Sequence, residues 1–113
     1  MDCIFCKIIA GAIPTKFVYQ DKEVIAFRDI EPQAPVHILI IPREHIASLA
    51  EVPESKSGLL GHLVAVANKL AKSEGIAERG YRVAINCGPE GTQGVPHIHL
   101  HLLGGRQLSG MLG

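Results

Sequence analysis

His97-Ile98-His99-Leu100-His101-Leu102-Leu103 alternates polar and apolar residues through its first six positions, the period of a half-buried β-strand. Successive strand side chains point to opposite faces. His97, His99 and His101 therefore share one face, and Ile98, Leu100 and Leu102 share the other. At strand spacing, neighbouring imidazoles stand about 7 Å apart. Imidazole donates, accepts, attacks or binds metal near neutral pH, and three of the chain's six histidines fall within these five residues. The plain alternative is an incidentally polar outer face. A regular triplet backed by three aliphatics points instead to a working row of side chains.

Outward from this stretch, Gly88-Pro89-Glu90-Gly91-Thr92-Gln93-Gly94 reads as a glycine-rich turn joining it to a strand over Tyr81 to Cys87. Gly104-Gly105 closes it, and a tail follows from Arg106 to Gly113. Val36 to Ile41 is a nearly continuous apolar strand, buried on both faces and ended by Pro42, with His37 as its one polar interruption. Lys16 to Gln20 and Glu23 to Asp29 form an antiparallel hairpin about Asp21-Lys22. Two helices complete the pattern. A short one runs from Asp2, its N-cap, to Gly11, with Ile4, Phe5, Ile8 and Ile9 apolar. A long one has Pro53 in its first turn and continues to about Glu74, its stripe being Leu59, Leu60, Leu63, Val64, Ala67, Leu70 and Ala71. His62 lies off that stripe, as a surface residue would. Five strands and two helices make an α+β domain spanning residues 1–113.

Charge narrows the function. Eleven Lys plus Arg balance eleven Asp plus Glu, so no basic field exists to hold nucleic acid. No apolar run approaches the roughly 18 residues of a membrane span, and no signal-peptide pattern is present. An odd count of three cysteines makes no disulfide framework, and the expected location is cytoplasmic. Cys3-x-x-Cys6 leaves three readings open. A thioredoxin-like redox pair lacks its βαβ context; the others are two inert buried thiols and a closed tetrahedral zinc site. Cys87 reads as a core thiol.

The stretch His97 to Leu103 resembles the His-φ-His-φ-His-φ-φ signature of the histidine triad (HIT) family, φ being apolar. Ile4-Phe5, Ile8-Ile9, Phe27-Arg28-Asp29-Ile30, Pro32-Gln33-Ala34-Pro35, His37, Gly80-Tyr81-Arg82 and Leu103-Gly104-Gly105-Arg106-Gln107 extend the similarity to the Hint branch, the nucleoside phosphoramidases. The resemblance implies a five-stranded antiparallel sheet with two helices, in a homodimer whose sheets join. It implies hydrolysis of purine nucleoside 5′-phosphoramidates, with His99 as nucleophile forming a nucleotidyl-histidine. A hydrogen bond from the other ring nitrogen to a backbone carbonyl would select the required tautomer. His101 would handle phosphate or leaving-group oxygens, with His37 leaning on the cluster and His97 beside it. A histidine in a buried strand must be hydrogen-bonded, which favours function over mere core filling at His37.

The same resemblance places Asp29 on the ribose hydroxyls, where spacing alone equally allows a turn residue. It places Ile4, Phe5, Phe27, Arg28, Ile30 and Leu39 around the purine, and Asn86, Gln93, Gly94 and Val95 around ribose and phosphate. Backbone N–H groups of the Gly91 to Val95 turn would form a phosphate nest. Some relatives bind zinc through positions that correspond here to Cys3, Cys6, His45 and His97; the metal would be structural and no cofactor is required for chemistry. Two departures stand out. Gly94 replaces a serine that assists the leaving group in many Hint relatives, and Pro96 removes a ladder donor just before the triad. The alternatives are a nucleotide-binding regulatory module with little catalysis and a metalloenzyme liganded by the triad. The latter is disfavoured because the outer two histidines of a strand stand about 13 Å apart.

Overall fold

Both faces of the strand Val36–Pro42 are buried, and the sheet is laid out around it. The computed structural model of the chain describes residues 3–113. Its elements are α1 (Ile4–Ile9), β1 (Phe17–Gln20), β2 (Val24–Arg28), β3 (Val36–Pro42), α2 (Ser57–Ser73), β4 (Tyr81–Ile85) and β5 (Leu100–Gly104). The five strands form one sheet in the order β1-β2-β3-β5-β4, every pair antiparallel.

Parity along the strands divides the core. Val24, Ala26, Val36, Ile38, Ile40, Leu100 and Leu102 face α2 and meet Leu63, Val66, Ala67, Leu70 and Ala71. Ile25, Phe27, Leu39 and Ile41 face the other way and meet Cys3, Phe5 and Ile8 of the N-terminal segment. His37 and His101 fall by the same parity on the α1 side. The sheet therefore carries a purely apolar layer on one face and all of its buried imidazoles on the other.

Several boundaries differ from the sequence expectation. The histidine stretch is not strand throughout: β5 begins at Leu100. Pro96 has no N–H, and Ile98 N–H donates instead to the Ile46 carbonyl at 2.8 Å, so residues 97–99 are tied to a loop. α2 begins at Ser57, after a 3-10 turn over Glu54–Lys56 that carries the chain on from Pro53. β4 ends at Ile85, and Cys87 is only half-buried, not a core thiol. The expected cap Asp2 lies outside the described residues; Cys3 takes the N-cap position, its Sγ accepting from Cys6 N–H at 3.4 Å. Gly11 has φ +80°, as the left-handed closing residue should. His62 is not a free surface group: its Nε2 lies 2.7 Å from Asp21 Oδ2. That carboxylate also accepts from Tyr19 Oη and from the Glu23 and Val24 amides, which pins the β1–β2 hairpin to α2. These donors hold the Asp21 carboxyl well below its ordinary range against the opposing effect of burial. No helix among the described residues is long and apolar enough to cross a membrane.

Candidate active site and metal centre

Four imidazoles converge on the α1 face, and backbone groups determine which nitrogen of each carries the proton. Gln33 N–H donates to His37 Nδ1 at 3.0 Å, so Nδ1 is the acceptor and Nε2 bears the hydrogen. His37 Nε2–H then points at His101 Nδ1, 2.9 Å away. His101 consequently keeps its own hydrogen on Nε2. Asp29 Oδ2 stands 3.5 Å from His37 Nε2, while Asp29 Oδ1 accepts from Glu31 N–H at 2.8 Å. Burial pushes the His37 imidazole below its ordinary pKa, with the Asp29 charge opposing. Burial, reinforced by His99 and His37, lowers His101 to about 4. Both rings are therefore neutral at physiological pH.

His99 is tied differently. Its Nδ1–H donates to the His97 carbonyl at 2.8 Å, leaving the Nε2 lone pair uncommitted. Its ring meets that of His101 at a centroid distance of 5.0 Å, and Phe5 packs edge-on against it at 5.2 Å. His97 is wholly buried, and both its nitrogens are used on the side away from His101: Nε2–H donates to the Pro42 carbonyl at 2.9 Å, and Nδ1 faces Cys3, Cys6 and His45. The histidines share a face as expected, yet they divide into two clusters.

The second cluster has the dimensions of a metal site. Cys3 Sγ lies 3.4 Å from His97 Nδ1, Cys6 Sγ 3.6 Å from it, and His45 Nδ1 3.2 Å from it; Cys6 Sγ and His45 Nδ1 are 3.2 Å apart. Tetrahedral zinc with bonds of about 2.3 Å to sulfur and about 2.05 Å to nitrogen separates its ligands by about 3.3 Å (N to N) and about 3.6 Å (N to S). The four donor atoms all lie within 4.8 Å of one another. Two thiols and two imidazoles are a donor set that zinc accepts, and the Nε2–H bond to Pro42 presents the His97 Nδ1 lone pair to the cluster. The residues fit the ion. The group Asp29, His37 and His101 is also compact, but its inner nitrogens already serve a hydrogen-bond chain.

The remaining expected site residues separate into three sets. Phe5, Phe27 and Leu39 form a buried apolar wall beside the imidazoles, the two phenyl rings 5.7 Å apart, while Ile4 and Ile30 stand exposed at 47% and 94%. Arg28 turns away: its guanidinium makes a bidentate pair with Glu74, at the end of α2 on the opposite face. Gln93 is consumed by structure. Its Oε1 accepts from Gly88 N–H, and its Nε2 donates to the Ala47 and Val95 carbonyls. Thr92 and Gln93 N–H are likewise spent on Pro89 and Gly88, so any nest in this turn is reduced to the Gly91, Gly94 and Val95 amides. Asn86 reaches Thr92 Oγ1 at 3.5 Å. Gly94, Val95 and Pro96 line an open groove with Ile4, beside Cys3 and His45. A larger cleft of about 850 Å³ lies between the end of α2 and the C-terminal tail, lined by Arg79, Arg82 and Arg106, and contains none of these histidines. The Gln93 latch and the Asp21–His62 pin escaped sequence reasoning because both depend on partners tens of residues away.

The fold and this arrangement belong to a known class. The HIT domain family matches residues 10–108, and the chain belongs to that family. Among similar proteins, the purine nucleoside phosphoramidase of Escherichia coli strain K12 is 53% identical, the match covering 98% of this chain and 93% of that one. A 14 kDa zinc-binding protein of Zea mays is 56% identical over 94% of this chain and 84% of its own. Among solved structures, a HIT family hydrolase from Legionella pneumophila superposes with a TM-score of 0.94 at 52% identity, covering 96% of this chain and 97% of that one.

Proposed function

We propose that the chain hydrolyses the P–N bond of purine nucleoside 5′-phosphoramidates, of the adenosine 5′-monophosphoramidate type, through a covalent nucleotidyl-histidine. The observation that carries this reading is the hydrogen bond from His99 Nδ1–H to the His97 carbonyl, which leaves Nε2 as a free nucleophile. Nε2 attacks phosphorus and the P–N bond breaks; the leaving amine takes its proton from solvent, while the neutral His101 Nε2–H donates a hydrogen bond to the leaving nitrogen. Water then attacks the same phosphorus, its proton returns to solvent, and the P–Nε2 bond breaks to release the nucleoside monophosphate. His37 holds His101 in the tautomer this requires. Phe5, Phe27 and Leu39, with exposed Ile4 and Ile30, receive the purine; Asp29 accepts the ribose hydroxyls; the Gly94 and Val95 amides meet phosphate oxygens beside Asn86 and Gln93. Arg28 contributes only main chain, since its side chain is paired elsewhere. The E. coli relative's name supports this substrate class.

Cys3, Cys6, His45 and His97 hold a structural zinc in this reading, supported by the ligand spacing and by the name of the maize relative. When bound, the ion cross-links α1 to the triad segment and takes no part in the chemistry. The functional unit is a cytoplasmic homodimer of one HIT domain per chain, acting on a small nucleotide without nucleic acid or membrane partners.

His99→Ala should lower turnover of adenosine 5′-phosphoramidate by at least about 10³-fold while leaving AMP affinity within about threefold. Hydrolysis by that variant near the wild-type rate would overturn the assignment. Gly94 favours one rival, a low-activity nucleotide-binding module, because no side chain there can assist the leaving group. Alkaline quench of a single turnover separates the two by trapping the acid-labile, phosphorus-bound histidine, since a pure binder yields none.

A further inference from the structure

The segment that carries the nucleophile's hydrogen-bond acceptor has little secondary structure to hold it. Residues 97–99 make no ladder bonds; β5 starts one residue later. The His97 carbonyl, which fixes the tautomer of His99, belongs to the peptide whose Ile98 N–H donates to the Ile46 carbonyl, next to the ligand His45. The His97 side chain holds the same residue from the other side. That ring is clamped at both ends, Nε2–H on the Pro42 carbonyl and Nδ1 in the cysteine–histidine cluster. A second connection runs through α1. Phe5 lies between Cys3 and Cys6 in sequence, and its ring meets both His97 and His99 edge-on, at 5.8 and 5.2 Å. α1 has only six residues, too few to be stable alone, so its position depends on what anchors it. Without an ion, α1 keeps the burial of Phe5 and Ile8 against β2 and β3, but its link to His97 and His45 reduces to weak contacts between sulfur and ring nitrogen.

We propose that the Cys3–Cys6–His45–His97 cluster is a positioning device for the nucleophile: metal ligation there sets the tautomer and orientation of His99, through the His97 carbonyl and the Phe5 ring. Occupancy of a site that never touches substrate thereby regulates the reaction. The effect on turnover rests on the phosphoramidase reading above; the effect on His99 itself does not. His97, Cys3, Cys6 and His45 are positioning residues in this scheme, and His37 lies outside its reach because Gln33 and β3 hold it.

The test compares ¹⁵N-imidazole spectra and steady-state kinetics of the full chain loaded with zinc, stripped by chelator, and reloaded. In the loaded chain, His99 is expected to show one protonated Nδ1 and one bare Nε2. After stripping, those two signals should move toward each other as the second tautomer becomes populated, while His37, held by the Gln33 N–H, stays fixed. kcat should fall about tenfold with KM nearly unchanged, and zinc should restore both. His45→Ala, which removes the one exposed ligand and makes no contact with the His99 ring, should reproduce the stripped spectra, and replaces stripping if chelation unfolds the chain. Unchanged His99 signals in either metal-poor form would overturn the proposal. Absence of turnover in the loaded chain would instead refute the activity reading, leaving the nitrogen signals to decide the coupling.

Discussion

At the scale of single residues, the site is an allocation of protons among ring nitrogens by main-chain partners. His97 and His99 are two residues apart yet hold opposite tautomers, because Pro42 offers a carbonyl to one Nε2 and His97 itself offers a carbonyl to the next Nδ1. The main-chain N–H of Gln33, which can only donate, fixes His37 and hence His101 with the hydrogen on Nε2, opposite to His99. This has a consequence for stability against pH. His101 is held at about 4 by burial, below the ordinary histidine value of about 6.5, and His37 is lowered as well. Between those two values the unfolded chain binds protons that the folded chain refuses, so stability falls as pH drops from about 6.5 to about 4. Below that window the loss is complete. His101→Gln removes this one titration and leaves the metal ligands in place. Urea midpoints measured at pH 7.5 and 4.5 should therefore differ less for the variant, by roughly 1–3 kcal/mol after allowance for partial exposure. Equal differences in both proteins would show that His101 is not held neutral by the fold.

At the scale of elements, the loop from Asn86 to Pro96 delivers the triad, and its shape is set by backbone more than by side chains. Gly91 illustrates this. A Cβ at that position would stand 2.3 Å from the Cys87 carbonyl oxygen and 3.0 Å from its nitrogen, both main-chain atoms that cannot turn aside. Gly91→Ala should therefore destabilise the chain by about 1–3 kcal/mol and lower kcat, read from urea midpoints and turnover; a neutral effect on both would mean that the turn is free to move. The sequence displayed the glycine-rich turn and the parity of the histidines, because alternation and glycine spacing are local signals. It also displayed the break at Pro96, since a missing N–H is a property of one residue. The rest depends on distant partners. Nothing near His62 announces Asp21, nothing near Arg28 announces Glu74, and the Gln93 amide is consumed by Ala47 across the fold. The cysteine pair was ambiguous for the same reason, until His45 and His97 were brought to within 3.6 Å of it.

At the scale of the whole molecule, the imidazoles and the open strand edges occupy different parts of the sheet. The α1 face carries the imidazoles, while the free edges are β1 and β4. β1 is blunted by a register irregularity between Phe17 and Tyr19, which spoils it as a template for another strand. β4 pairs with β5 in unbroken register, and its outer backbone groups remain open. Val83 on β4 is 40% exposed and Val64 on α2 is 41% exposed, while the neighbouring Tyr81 and Ile85 pack inward against the core. A second copy meeting β4 edge to edge would continue the sheet, pair those backbone groups and cover both valines, which matches the joined-sheet homodimer that the family resemblance implies. Val83→Lys places a charge at the centre of that edge. It should convert the protein from dimer to monomer in sedimentation analysis at concentrations where the wild type is dimeric, with the far-ultraviolet circular dichroism preserved. The histidine clusters lie on the α1 face, so AMP affinity should fall far less than the association constant. A wild type that sediments as a monomer, or a variant that remains a dimer, would remove β4 as the joining edge.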